Sequence, residues 1–206
     1  MTEPDRPAGS AAPKSPRLLA RSAQGAIAVA AVVEVIRAAT LRASRLDPAG
    51  TSPNTAGLVS MVSVDAMTLA TALFLVWFHR CRRNARVITP GVDLGSDAWA
   101  VMAWLIPLVN AWAPRGLLLA TRRASSTDPT SAGRDDTLVN AWWVAWAGHF
   151  LTGAIGSLTG SPLPLLVIAE ALTLTAAALV IIVIHRMTAA QSQALHAARA
   201  DVMPAA

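Results

Sequence analysis

Five ionisable side chains lie within otherwise apolar stretches of this sequence, and they are the residues best placed to do chemistry. They are Glu34, Arg37, Asp65, His149 and Glu170. A charged group inside a lipid bilayer costs about 2.5–3.5 kcal/mol on insertion scales, so each of the five requires a structural or a functional reason. Carboxylates in such surroundings are suited to proton transfer, and with a histidine and an arginine they would form a buried polar site.

Two interpretations of this polar set follow from its residue types. In the functional one, Glu34, Asp65 and Glu170 are catalytic acids or bases that act on an apolar substrate. In the structural one, Glu34 and Arg37 neutralise each other because they are three residues apart on one helix face. Asp65 would then share Arg37, and Glu170 would hydrogen-bond to His149. No HExxH-type spacing accompanies these residues, so we expect neither a metal site nor a cofactor.

The composition predicts that these residues belong to a membrane protein. Of 206 residues, 54% are hydrophobic and only 14% are charged, and the mean hydropathy is +0.47. The charged residues cluster between long uncharged runs, which is typical of a multi-pass membrane domain with short loops. We therefore attribute the net charge of +5 to the flanks of membrane spans and to contacts with anionic lipid, rather than to nucleic-acid binding.

Four apolar runs have the length of about 20 residues that a ~30 Å hydrocarbon layer requires. They predict an all-α integral membrane protein with transmembrane helices at about 22–41, 56–78, 138–159 and 165–184. Residues 1–20 mix Pro, Ser, Ala and charge, so they are predicted to form a disordered tail. The transmembrane helical domain is then 21–186, and residues 187–206 form a C-terminal cytoplasmic tail.

The stretch from Ala98 to Ser125 is apolar enough to enter a bilayer but is interrupted by Pro107, Asn110 and Pro114. If it crossed the membrane, the basic residues of the flanks and loops would divide evenly between the two sides. That division opposes the bias of short cytoplasmic loops toward Lys and Arg. If residues 98–123 instead form a re-entrant or interfacial helical segment, nearly all of these basic residues share one side. The second arrangement predicts four spans with both termini cytoplasmic.

The tryptophans favour the same arrangement, because all seven then fall near the cytoplasmic interface, where indole rings prefer to lie. They either anchor the protein at that interface or line a pocket for a lipid, a quinone or an isoprenoid. The residues predicted to contact such a ligand are Trp104, Trp112, Asn110, Trp143, Trp146, His149 and Arg37.

Two further patterns carry alternatives of their own. The basic cluster Arg80, Arg82, Arg83 and Arg86 is either a stop-transfer flank or a clamp for lipid phosphates. Small residues recur at every fourth position of the third span, as Gly148, Thr152, Gly156 and Gly160. Such a stripe permits close helix approach, either within the chain or across a homodimer.

Three segments carry a resemblance to a known family: WFHRCRRNAR (Trp77–Arg86), WLIPLVNAWAPR (Trp104–Arg115) and LVNAWWVAW (Leu138–Trp146). They resemble an uncharacterised actinobacterial family of multi-pass membrane proteins, a domain of unknown function in which an RRxN-like motif precedes WxxP. In this sequence Asn84 follows the Arg pair directly, which is a small departure from that pattern. The resemblance covers roughly Ala56–Arg186 and implies a membrane location without an activity.

The sequence contains no Gly-rich phosphate loop, no serine nucleophile motif and no CxxC. We therefore predict a small integral protein of the bacterial cytoplasmic membrane that acts as an interaction or accessory module. The alternative is a membrane-embedded enzyme that uses buried carboxylates for acid–base chemistry on an apolar, lipid- or isoprenoid-like substrate. The expected partners are membrane lipids, an apolar small molecule and a second copy bound through the small-residue stripe, with no nucleic acid.

Overall fold

The computed structural model describes residues 16–47, 50, 52–126, 129–160 and 162–200. Within these ranges the chain forms seven α-helices and no strand, so the all-α prediction is confirmed. The helices are α1 (Arg17–Leu46), α2 (Pro53–Ile88), α3 (Asp97–Leu105), α4 (Pro107–Asn110), α5 (Ala113–Arg123), α6 (Pro129–Leu158) and α7 (Leu163–Ala200).

The four long helices α1, α2, α6 and α7 cover the four predicted spans and pack as a bundle. Side-chain contacts fix their directions. The α1 residues Arg17 and Gln24 bond to Ser192 and to the carbonyl of Ile181, so α1 and α7 are antiparallel. Short connections join α1 to α2 and α6 to α7, which places both termini of the bundle at the end where α2 finishes.

Two of the four long helices, α2 and α7, are long and apolar enough to cross a membrane. Only 17% and 22% of their most apolar windows are buried inside the protein. A helix in the core of a water-soluble protein would hide most of such a surface, because exposing apolar area to water is unfavourable. Two of the four predicted spans therefore meet the criterion for a membrane-spanning helix, and most of their apolar surface is exposed.

The helices extend beyond the predicted spans at the end where α2 finishes. Helix α1 begins at Arg17, so residues 17–20 are its first turn and do not belong to a disordered tail; residues 1–15 lie outside the described ranges. Helix α7 continues to Ala200. Residues 187–200 of the predicted C-terminal tail therefore continue the last helix, and Met187, Gln191 and Leu195 are buried in the bundle.

The segment 98–123 is divided into three helices of nine, four and eleven residues. Pro107 and Pro114 lie in the first turns of α4 and α5, where the missing backbone N–H is tolerated but continuation of the preceding helix is not. None of the three helices approaches the length of a span. The helical break that the prolines predict is confirmed.

Both ends of this segment lie beside the C-terminal part of α2. At its start, Asp97 pairs with Arg82 and Arg86. At its finish, the Ala124 carbonyl accepts a hydrogen bond of 3.0 Å from the Thr89 hydroxyl. The segment therefore returns to the end of the bundle from which it left, and we call Asp97–Arg123 the α3–α5 hairpin.

Buried polar residues concentrate at that same end of the bundle, which we call the polar end. Its buried polar members are Arg82, Asn84, Thr121, Arg122, Ser125, Thr188, Gln191 and Ser192. Gln191 lies at the centre with 0% exposure. Its amide donates to the Cys81 carbonyl and to Ser125 Oγ, both at 2.8 Å. These bonds join α2, the end of the hairpin and α7 in one packed core.

Candidate functional site

A partly open cavity of about 320 Å³ lies in the part of the bundle away from the polar end, which we call the apolar half. Residues of α1, α2, α6, α7 and the α3–α5 hairpin line it. This volume is within the range of small-molecule pockets. Its aromatic lining comes from Phe74, Trp104, Trp142, Trp146 and Phe150. Ring centroids of neighbours along this series are 4.6–6.3 Å apart, so the rings form one continuous wall. We call the space the aromatic cavity.

Two polar atoms beside the aromatic cavity are buried without a hydrogen-bond partner in the described part of the chain. They are Trp104 Nε1 and Asn110 Oδ1, and both residues line the cavity. A buried donor or acceptor left unpaired costs about 1–3 kcal/mol. Two residues of the cavity lining that belong to the hairpin therefore carry a buried donor and a buried acceptor that no group in the described part of the chain satisfies.

Glu34 also lines the aromatic cavity, but its carboxylate is already engaged. It is 8% exposed and accepts from both ends of the Arg37 guanidinium, with 2.8 Å between Arg37 Nε and Glu34 Oε2. The Ser63 hydroxyl donates to the same oxygen at 2.8 Å. The predicted i, i+3 neutralisation of these two residues is therefore formed. Arg37 itself faces a separate open groove along α2.

His149 lines the cavity from α6, and its ring is held by α7. Its Nδ1 lies 2.7 Å from Thr173 Oγ1 and 3.2 Å from the Ala169 carbonyl. The predicted hydrogen bond between His149 and Glu170 is not formed. His149 contacts Ala169 and Thr173 instead, which lie four residues apart on the side of α7 that meets α6, and Glu170 lies next to this side. Glu170 Oε1 is buried without a hydrogen-bond partner among the described residues. The charges of Glu34, Arg37 and His149 nevertheless act on it.

Asp65 does not join this group. Its side chain is exposed, whereas Ser63, two residues earlier, is buried against Glu34. Residues two apart on a helix do not share a face. The predicted convergence of five ionisable residues is therefore wrong for Asp65 and holds for the other four.

The predicted ligand contacts are divided by the structure. Trp104, Asn110, Trp146 and His149 line the aromatic cavity, whereas Trp112 is 61% exposed. Trp143 has a different partner: its Nε1 donates to the Ala111 carbonyl at 2.9 Å, and the Arg115 guanidinium lies over its ring. Sequence reasoning missed Phe74, Trp142 and Thr173. The i, i+4 spacing of Trp142 and Trp146 was the signal that could have found one of them.

The basic cluster of α2 also separates into two faces. Arg82 is 0% exposed and donates to the carbonyls of Leu94, Gly95 and Ser96 and to Asp97. Arg86 donates to Asp97 at 2.8 Å. These two arginines therefore hold the α2–α3 connection and are not free to clamp lipid phosphates. Arg83 is exposed and Arg80 half-buried.

Asp97 is the acidic partner of both inward arginines. Burial raises the pKa of Asp97, but hydrogen bonds from Arg86 and Arg82 together outweigh this effect and lower the net pKa below its ordinary value. Asp136, at the start of α6, behaves in the same way: burial raises its pKa, and Arg123 and Arg122 lower it further than burial raises it. The charges of the polar end are thus paired largely within the protein.

The small-residue stripe of α6 serves packing and a turn within the chain. A Cβ added at Gly148 would lie 3.2 Å from Leu172 Cδ1 of α7, closer than ordinary van der Waals contact. Thr152 donates to the Gly148 carbonyl at 2.7 Å, and Gly156 is buried. Gly160 has φ = +75°, a left-handed conformation that favours glycine. Association of two copies through this stripe stays a prediction.

The fold and the site together define an all-helical protein with two bilayer-compatible helices and an aromatic cavity in the apolar half of the bundle. The family described as a domain of unknown function, DUF4328, matches residues 37–190. The match covers more than half of the chain, so this protein belongs to the DUF4328 family. No curated protein and no solved structure matches the chain. The matched region includes most of the polar end, without Gln191 and Ser192, and most of the cavity lining.

Proposed function

We propose that this chain is a four-span protein of the bacterial cytoplasmic membrane that binds an apolar small molecule in the aromatic cavity, as an accessory module without catalysis of its own. One observation carries the proposal: the cavity is lined by a continuous aromatic wall, and two of its lining residues carry an unpaired donor and an unpaired acceptor, Trp104 Nε1 and Asn110 Oδ1. A ligand with a polar atom and an apolar body satisfies both properties at once.

The proposed topology adds α1 and α6 to the two apolar helices α2 and α7. Both added helices expose large apolar side chains, among them Val29 and Val32 on α1 and Phe150 and Leu151 on α6. The α3–α5 hairpin enters from the cytoplasmic side and returns. Nine residues of α3 rise only about 13.5 Å, less than half of a ~30 Å hydrocarbon layer.

Cysteine labelling from outside intact cells tests this topology in a Cys81→Ala background. Probes are placed at four exposed positions: Ser52 and Thr159 in the connections at one end, and Ala98 and Ala197 at the polar end. We expect a membrane-impermeant maleimide to label Ser52→Cys and Thr159→Cys only. Labelling of Ala197→Cys together with failure at Thr159→Cys would overturn the four-span arrangement, because the two positions would have exchanged sides.

Two adjacent alanines of α7 provide a matched test of ligand binding. Ala177 lines the aromatic cavity, whereas Ala178 is exposed on the outside of the bundle. We expect Ala177→Phe to fill the cavity and to abolish saturable energy transfer from tryptophan to N-phenyl-1-naphthylamine. Ala178→Phe adds the same ring to the outer surface and should leave the transfer unchanged. Equal transfer in the two variants contradicts the cavity as the binding site.

A membrane-embedded enzyme is the second candidate, and Glu170 is the observation that favours it. Its Oε1 is buried without a partner among the described residues, close enough to Glu34 and His149 for their charges to act on it. Mass spectrometry of lipids that co-purify with the protein and of their conversion products would test it. An enzyme should lose turnover in Glu170→Gln and keep it in Asp65→Asn, which alters an exposed carboxyl group. Unchanged lipid composition in both variants would support the accessory role.

A further inference from the structure

We propose that the ligand of the aromatic cavity is a neutral alkyl or prenyl quinone, bound by its ring. This inference rests on the proposed function, because it names the chemical class of the molecule that the cavity takes. It combines three properties of the lining: flat aromatic faces, an unsatisfied hydrogen-bond donor and the absence of an unbalanced charge.

The aromatic faces favour a planar ring. Trp142 and Trp146 are stacked with their planes 29° apart, and Trp104 is inclined to Trp142 by 39°. Indole rings have electron-rich faces. An electron-poor flat ring such as a benzoquinone gains both contact area and electrostatic attraction against them, whereas a bulky or branched head group would not lie flat along the wall.

The unpaired indole N–H of Trp104 favours a ligand whose ring carries a hydrogen-bond acceptor. The indole Nε1 of Trp104 is a donor only, so it is satisfied by an acceptor and by nothing else. A quinone carbonyl supplies such an acceptor without adding charge. Asn110 is equally suited, because a side-chain amide offers either an acceptor or a donor to the ligand depending on its rotation.

The charge balance of the lining disfavours anionic lipids and fatty acids. Glu34 is the carboxylate that faces the cavity, and it is already bound by Arg37 and Ser63. A further anion would be placed near two carboxyl groups, those of Glu34 and Glu170, which is costly in a region of low dielectric constant. A neutral ring avoids this repulsion.

Small side chains leave a route for the apolar tail. Ala31 of α1 and Ala177 of α7 both line the cavity and are partly exposed. Both side chains are small, so they leave room between these two helices for the start of an apolar tail. In a bilayer the outer surface of these helices faces the acyl chains, where an alkyl or prenyl tail is soluble.

Competition against N-phenyl-1-naphthylamine separates the ring from the tail. The two competitors are 2-decyl-1,4-benzoquinone, chosen in preference to decylubiquinone because its ring carries no methoxy or methyl groups, and n-decylbenzene; they share the ten-carbon tail and differ in the two ring carbonyls. We expect 2-decyl-1,4-benzoquinone to displace the probe from the full-length protein at a concentration about tenfold lower, as one net hydrogen bond to Trp104 implies. Equal displacement by the two overturns the quinone inference while leaving the proposed function intact. Absence of saturable probe binding to the unmodified protein overturns both.

Two tryptophan variants assign the preference to the indole N–H. Trp104→Phe retains an aromatic ring but loses the donor, and we expect the two competitors to become equal while n-decylbenzene binding is unchanged. That unchanged binding also shows that the variant is folded. Trp112→Phe is the matched control, because Trp112 is exposed and outside the cavity, and it should retain the tenfold preference. A preference retained in Trp104→Phe contradicts the assignment.

Discussion

The polar end and the apolar half of this bundle both bury polar side chains among helices, and both leave some buried polar atoms without a partner among the described residues, including Arg82 Nη1. They differ in what most of their polar groups contact. At the polar end, Gln191 and Arg82 are fully buried and their hydrogen bonds join separate elements. In the apolar half, Trp104 and Asn110 border an open cavity with buried atoms left unpaired. The first arrangement stabilises the fold, and the second leaves interaction capacity for a ligand.

The difference between the two regions is clearest in two tryptophans whose rings both pack against Phe74. Trp77 is completely buried, and its Nε1 donates to Thr188 Oγ1 at 3.1 Å. The ring of Trp104 packs against Phe74, as the ring of Trp77 also does. The Nε1 of Trp104, however, has no partner among the described residues. One indole N–H is thus committed to the fold, and the other remains free.

The largest expected effect belongs to Arg82. Replacing it by leucine removes four hydrogen bonds to the α2–α3 connection, of which Arg86 covers only Gly95 and Asp97, so we expect a loss of about 2–3 kcal/mol in unfolding free energy. Thermal or denaturant unfolding in detergent measures it. Arg83→Leu is the control, since Arg83 is exposed and should change stability by less than about 0.5 kcal/mol. Equal losses would show that charge alone, rather than burial, matters at this end.

An intermediate effect should distinguish the two tryptophans. Trp77→Phe removes a satisfied donor and leaves a gap, so we expect a loss of about 1–2 kcal/mol. Trp104→Phe removes a donor that was unsatisfied, so its unfolding free energy in the absence of ligand should be unchanged or slightly higher. The same unfolding measurement compares them. A larger loss for Trp104→Phe than for Trp77→Phe would break the contrast between the two halves.

The smallest effect concerns pH. Because the pKa of Asp97 is lowered in the folded protein, its contribution to stability is present above its unfolded pKa of about 3.9 and is lost as pH falls through the folded value. We expect the unfolding temperature of the native protein to fall more steeply below about pH 4 than that of Asp97→Asn. Asp65→Asn should follow the native curve. If Asp97→Asn has the same acid dependence as the native protein, the Asp97 carboxylate does not cause the loss of stability at low pH.

Much of the helical framework could be predicted from the sequence, because apolar runs of span length and prolines act locally. The extension of α7 to Ala200 could not. Its residues after Arg186 are mostly small or polar, and the groups that hold Gln191 are the Cys81 carbonyl and Ser125, which are distant in sequence. The segment is compatible with a helix from its residues alone, but its burial against α2 and the end of the hairpin depends on tertiary contacts that no local pattern reveals.

The candidate site shows the same division between local and tertiary information. The Glu34–Arg37 pair was predictable, because the spacing of the two residues alone brings them together. Asp65 was misplaced, because position along a span gives depth but not the face of the helix. The inward orientation of Arg82 and Arg86 had a local signal in their i, i+4 spacing, which separates them from Arg83.

The bond from Trp143 Nε1 to the Ala111 carbonyl has a consequence for how the protein is made. Ala111 lies where α4 ends within the hairpin, and Trp143 belongs to the next long helix. Synthesis proceeds from the amino terminus, so the hairpin emerges from the ribosome before its hydrogen-bond donor exists. This carbonyl gains its partner only when α6 docks, and maturation of the hairpin is therefore coupled to the insertion of the helix that follows it.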